Sequence, residues 1–199
     1  MEPTESLTPV VPIFTIGYGN MTLANFVDKL RQHEIHFLVD VRSQPYSRYQ
    51  TDYNKAQLAE HLTQHGIRYV FLGDALGGRP PDPDCYTQDG KVAYERCREK
   101  PFYQDGMKRL ETAFTKQVRL ALMCGCAKPE MCHRSKLIGV SLGRLHIPVM
   151  HILGDGALMS QETVMRLLEP TPDLFGDSPQ LGTSRKSYRI EEDQEPPYS

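Results

Sequence analysis

Apolar positions along the chain fall into short runs, and the spacing between them changes in a regular order. VPIFTIG at 11–17 is a continuous apolar and β-branched run broken by Gly17, Tyr18, Gly19 and Asn20, which predicts a buried strand followed by a tight turn. Leu23, Phe26, Val27 and Leu30 then recur at i, i+3, i+4 and i+7 behind Thr22, the stripe of a capped amphipathic helix. IHFLVDVR at 35–42 is a second strand, Asn54 caps a helix running through Leu58 and Leu62 to Gly66, and IRYVFLG at 67–73 is a third strand. Residues 73–90 hold too many Gly, Pro and Asp for a regular element and predict a long loop of the kind that covers functional sites.

The alternation resumes with helical stretches over 92–99 and 101–115, the second opened by Pro101. VRLALMC at 118–124 is a fourth strand, PEMCHRSKLIGVSLGR at 129–144 a helix with Pro129 near its start, IPVMHIL at 147–153 a fifth strand, and 161–168 a last helix. Strands alternating with helices, and apolar along nearly their whole length, predict an α/β fold: one three-layer, Rossmann-like domain with a mainly parallel sheet of about five strands between helices. The domain is expected over 11–169, with a flexible start at 1–10 and a disordered acidic tail at 170–199, where Pro, Ser, Asp and Glu dominate.

Composition narrows the function classes. The 199 residues are 39% hydrophobic, enough for one core. The formal net charge is -2, but the last thirty residues hold six acids against three bases, so the remainder is close to neutral. Bulk charge therefore points to neither nucleic acid nor a membrane surface. The apolar runs are strand-length, short of the roughly 20 residues that span a bilayer. Five cysteines, an odd and unevenly spaced set with no apolar leader ahead of them, fit reduced thiols and a cytoplasmic location.

In an open parallel sheet, ligands bind at the carboxyl ends of the strands. Those ends collect Gly17, Tyr18 and Asn20, then Asp40, Arg42 and Ser43, then Cys124 with Cys132, His133 and Arg134. If Cys132 lies in the first turn of a helix beside Arg134, the dipole and the guanidinium favour its thiolate, making Cys132 a candidate nucleophile and His133 a candidate acid or base. Asp40 is read as a proton or hydroxyl acceptor, or as the partner that orients Arg42. Arg42 and Arg134 are candidate holders of a phosphate or carboxylate. Cys124, ending an apolar strand, reads as a small buried hydrophobe. Tyr46, Arg48, Tyr49 and Arg79 are candidates for a rim that stacks a base and contacts its phosphate. Gly17, Tyr18 and Asn20 form only a partial phosphate loop, lacking the third glycine of GxGxxG. Cys124, Cys126, Cys132 and His133 read C-x-C-x5-C-H, a spacing that matches no common zinc knuckle, so neither metal nor cofactor is expected.

TIGYGN at 15–20, LVDVRSQPYSR at 38–48, the Asn54-Lys55 helix start, GIRYVFLGDALGGR at 66–79 and the LALMC to CHR segment at 120–134 together resemble the family known as domain of unknown function 488. The resemblance implies a compact α/β domain and no assigned activity. Its pattern Cys-Ala-Glu-x-x-Pro-Glu-x-Cys-His-Arg carries over to Cys124, Pro129, Glu130, Cys132, His133 and Arg134. Gly125 and Cys126 stand where that pattern has Ala and Glu, which removes an acid and makes Cys126 particular to this chain.

The expectation is an enzyme, a hydrolase or transferase, acting on a phosphate-bearing or other anionic, nucleotide-like substrate at the sheet's carboxyl edge. The alternative is a nucleotide or nucleic-acid binding module without catalysis. A sulfur-handling role, suggested by Asp-Val-Arg after a strand, lacks the cysteine loop of rhodanese-like domains. The partner is thus an anionic small molecule or nucleic acid, with no membrane, and no oligomeric state is assigned.

Overall fold

The computed structural model describes residues 10–168 and 182–188. Six strands form the central sheet: β1 (Ile13–Gly17), β2 (Phe37–Asp40), β3 (Arg68–Phe71), β5 (Leu120–Cys124), β6 (Val149–Ile152) and β7 (Leu158–Ser160). Their spatial order is β3-β2-β5-β1-β6-β7. The first five are parallel, and β7 adds an antiparallel edge against β6. The domain is therefore the three-layer α/β sandwich expected, with one short strand more than the apolar runs announce. From β1 the chain crosses β5 to reach β2, whereas from β5 it crosses β1 in the other direction to reach β6, so a crevice opens at the carboxyl ends of β2, β5 and β1.

Alternation within the strands explains the layers. Phe14, Ile16, Leu38, Ala121 and Met123 face α1 (Leu23–Gln32) and α2 (Lys55–Gln64), which contribute Phe26, Val27, Leu30, Leu58 and Leu62 to the same cluster. Ile13, Val39, Leu120, Leu122 and Val149 face the opposite layer with Met107 and Leu110 from α5 (Pro101–Thr115). Thr22 caps α1 as its spacing predicts, its hydroxyl accepting from the Asn25 amide.

Four segments depart from the sequence pattern. The loop after β3 begins with a single turn, α3 (Gly73–Leu76). The stretch expected to be helical from 92 opens instead as β4 (Lys91–Ala93), and α4 (Tyr94–Arg98) begins only after it. The partner of β4 is β8 (Thr183–Ser187), inside the tail expected to be disordered. The Ser184 hydroxyl bridges the Val92 amide and the Lys186 carbonyl across an irregular register, so side-chain bonding supplies part of what regular pairing would. The rest of that tail, and 1–9 of the expected flexible start, lie outside the described residues.

The fourth departure shapes the site. The helix expected over 129–144 is broken: Pro129–Met131 form a 3-10 turn, Cys132 is extended, and a π-helical segment (Arg134–Gly139) runs into α6 (Val140–Arg144). A π turn frees carbonyls from the usual ladder, and they need other donors. Arg98 donates to Lys136 O at 3.1 Å, and Gln161 at the start of α7 (Gln161–Leu167) donates to Ser135 O at 3.1 Å. Gln161 Oε1 in turn accepts from His151 Nε2 at 2.8 Å, and His151 Nδ1 accepts from the Thr15 hydroxyl at 2.7 Å.

That chain uses one neutral tautomer of His151 completely, and burial pushes its pKa down to about 4. The unfolded chain, with an ordinary value near 6.5, binds the proton first as pH falls. Stability from this group is thus complete above about pH 6.5 and is lost as pH falls toward about 4, a change of about 3 kcal/mol. Urea titrations over this window should show that slope in the wild type and a flatter one in His151→Gln.

Candidate functional site

At the end of β2, Asp40 is fully buried and Arg42 nearly so. Arg42 Nε donates to both carboxylate oxygens of Asp40, at 2.9 and 3.1 Å, and Nη2 donates to Oδ2 at 2.6 Å. Nη2 also donates to Tyr53 O at 2.8 Å, while the Tyr69 hydroxyl donates to Asp40 Oδ2 at 2.7 Å. Burial by itself lowers the Arg42 pKa, but hydrogen bonds and charge from Asp40 outweigh it and raise the value, so the guanidinium stays charged. Burial and the neighbouring carboxylate likewise push up the Tyr69 phenol, which remains a donor. These bonds leave over Nη1, whose one described contact is a long bond to the Tyr18 hydroxyl at 3.4 Å.

Beside it, β5 lies between β1 and β2 and delivers Cys124 to the same edge, opposite Gly17. Gly17 is required there by space: a methyl on it would run into the Cys126 carbonyl and the Arg134 guanidinium. His133 turns its ring toward the sulfurs, with Nδ1 3.8 Å from Cys124 Sγ and 3.7 Å from Cys132 Sγ. Its Nε2 lies 3.0 Å from Val41 O, and a carbonyl only accepts, so the proton sits on Nε2 and Nδ1 presents its lone pair. Hydrogen bonds from Cys126 and Cys132 hold the Cys124 thiol well below its ordinary pKa despite burial. Burial and the Cys124 sulfur push Cys132 well above it. Bonding to Cys124 also raises Cys126.

These groups meet at a cavity of about 300 Å³ lined by Arg42, Ser43, Gln44, Tyr46, Gly78, Arg79, Cys124, Gly125, Cys126, His133 and Tyr188. It carries two guanidinium groups and an imidazole, and among the described residues no carboxylate lines it. Ser43 Oγ accepts from the Arg79 amide at 2.8 Å and so folds the loop after α3 over the opening, where Gly78 packs against the His133 ring. Tyr188, just past β8, stacks under the Arg79 guanidinium at 4.4 Å.

Of the residues expected at the site, Arg42, Ser43, Arg79 and His133 line the cavity. Asp40 lies beneath the floor and acts on Arg42, with both oxygens already bonded, so the orienting role fits its position and the proton-accepting one does not. Cys132 lies behind the cavity on a smaller hollow of about 150 Å³. It precedes the helix rather than sitting in its first turn, so the dipole argument for its thiolate does not apply. Arg134 is fully buried and donates to Cys126 O at 2.6 Å and Ala127 O at 3.0 Å. It shapes the loop after β5 and is not among the residues lining the cavity. Gly17 makes room for it, and Tyr18 stacks on Tyr53 and supports Arg42 from below. Asn20 and Arg48 are exposed and outside the cavity, as is Tyr49. Sequence reasoning missed Gln44, Gly78, Tyr69 and Tyr188. Of these, Gly78 had a signal in its glycine-rich loop, whereas Tyr188 sits in a polar tail with none.

The family model described as Domain of unknown function DUF488 matches residues 22–140, more than half of the chain. The chain belongs to that family. The DUF488 match takes in β2 with Asp40 and Arg42, the loop carrying Ser43 and Arg79, and the segment from Cys124 to Arg134, and it starts after β1. No curated protein and no solved structure matches the chain. Among the described residues, no helix is long and apolar enough to cross a membrane.

Proposed function

We propose that the protein is an enzyme that acts on a small phosphate-bearing or other anionic molecule, whose charged group docks on Arg42 Nη1 beside the Cys124 and His133 side chains. One observation carries the reading: a buried guanidinium is locked by Asp40 and Tyr53 O on one edge, and its Nη1, held only by a long bond to the Tyr18 hydroxyl among the described residues, adjoins a cavity that no described carboxylate lines. Desolvating a charge is costly, and an anion recovers that cost with charge-assisted hydrogen bonds. The volume suits a small ligand, and Tyr46 and Tyr188 on the wall suit a planar or apolar remainder such as a base. Arg48 and Tyr49 lie outside the cavity, which favours a small molecule over a strand of nucleic acid.

Ligand-observed NMR with nucleoside monophosphates, sugar phosphates and inorganic phosphate tests this. Arg42→Met in an Asp40→Asn background, which leaves no unpaired buried carboxylate, is expected to weaken binding about 10–100-fold while the fold persists. Equal binding by wild type and double variant would refute the anion site.

A further inference from the structure

His133 presents one lone pair to two sulfurs, and hydrogen bonding alone satisfies only one of them. We propose that Cys124 Sγ, Cys132 Sγ and His133 Nδ1 bind a divalent metal ion that prefers thiolate and imidazole, Zn²⁺ or a close analogue, with a fourth position open to the cavity. This rests on the anion-site reading for its purpose, since Cys124 and His133 line the same cavity as Arg42, but its evidence is separate.

The geometry is that of a ligand set. The three donor atoms all lie within 4.8 Å of one another, and Nδ1 stands 3.8 and 3.7 Å from the two sulfurs. A tetrahedral ion with metal–sulfur bonds of about 2.3 Å and a metal–nitrogen bond of about 2.0–2.1 Å separates sulfur from nitrogen by about 3.6 Å. The imidazole is also held as metal-bound imidazoles are, its second nitrogen donating to a backbone carbonyl, here Val41 O at 3.0 Å. Gly78 packs on the ring so closely that a methyl there would meet Nδ1 at 2.9 Å, so the ring is fixed before any ligand arrives.

Charge points the same way. Cys132 is 2% exposed and Cys124 is 8% exposed, and two sulfurs buried together become thiolates only beside a compensating cation. A divalent ion supplies both charges. Cys124 and His133 line the large cavity while Cys132 backs the set from the smaller hollow, so three protein ligands close one side and the cavity lies on the other. Three ligands with an open position is the arrangement of reactive rather than purely structural zinc sites. Cys126, half-buried and within hydrogen-bonding reach of both cysteines, also lines the cavity. The linear spacing hides the set because a strand end, an extended residue and the first residue of a helix meet only in the fold.

The test is titration of the reduced, metal-stripped full chain with Co²⁺. One equivalent should give the visible bands of a tetrahedral ion and a thiolate-to-cobalt charge-transfer band. Cys132→Ser and His133→Ala should each weaken binding about 100-fold or more, with circular dichroism confirming the fold. Absence of the charge-transfer band in folded wild type overturns the proposal whatever the variants do, as does a band that survives Cys132→Ser unchanged. Inorganic phosphate is titrated into the same samples. Arg42-dependent phosphate binding without cobalt binding sinks the metal and keeps the anion site, and cobalt binding without phosphate binding does the reverse.

Discussion

Asp40→Ala is expected to lower the stability of the fold by about 3–5 kcal/mol, because it strands a buried guanidinium. The carboxylate takes two bonds from Arg42 Nε, one from Nη2, one from the Arg42 amide and one from the Tyr69 hydroxyl, all away from water. Losing one member of such a pair costs more than losing both, since the survivor stays buried without its counter-charge. Asp40→Ala combined with Arg42→Met should therefore recover a large part of the loss. Urea denaturation of the two variants and the wild type checks both statements. A single-variant loss below about 1 kcal/mol would mean that Arg42 reaches solvent when unpaired, and that its position is not imposed by Asp40.

The second large effect falls on Arg134→Met, which is expected to cost about 3 kcal/mol or more and to loosen the loop after β5. The side chain is completely buried, and its two bonds to Cys126 O and Ala127 O hold two of that loop's carbonyls. Truncation leaves both carbonyls without these donors and opens space beside Gly17. Amide hydrogen exchange over 125–128 should accelerate in this variant while β1 and β5 stay protected. Unchanged exchange with full stability would contradict the anchoring role. Because Arg134 Nε has no partner in the described structure, part of this residue's burial is already uncompensated, and the two carbonyl bonds matter the more.

Much of this arrangement is legible in the sequence. Buried parallel strands are apolar on both faces, so β1, β2, β5 and β6 announce themselves, and Thr22 marks the start of α1. From strand ends alone, Asp40, Arg42, Ser43, Cys124 and His133 are placed at one edge. What stays hidden depends on side-chain direction and on weak elements. Arg134 differs from Arg42 only in pointing inward, which sequence spacing does not reveal. Cys132 lies ahead of the helix because Pro129 starts a short turn, not the helix, and the helix itself begins after Cys132 as a π turn braced by Arg98 and Gln161. The strand Thr183–Ser187 is polar throughout, since it pairs with β4 rather than covering a core, and so carries no alternation to read.

The account's central claim is that Asp40 and Tyr53 hold Arg42 so that its Nη1 edge receives an anion within the cavity of Cys124 and His133. Crystals grown with tungstate, a heavy stand-in for phosphate, test it most directly. The account predicts an anomalous peak in that cavity, within hydrogen-bonding distance of Arg42 Nη1. A cavity without tungstate, in crystals that bind it elsewhere on the surface, would contradict it.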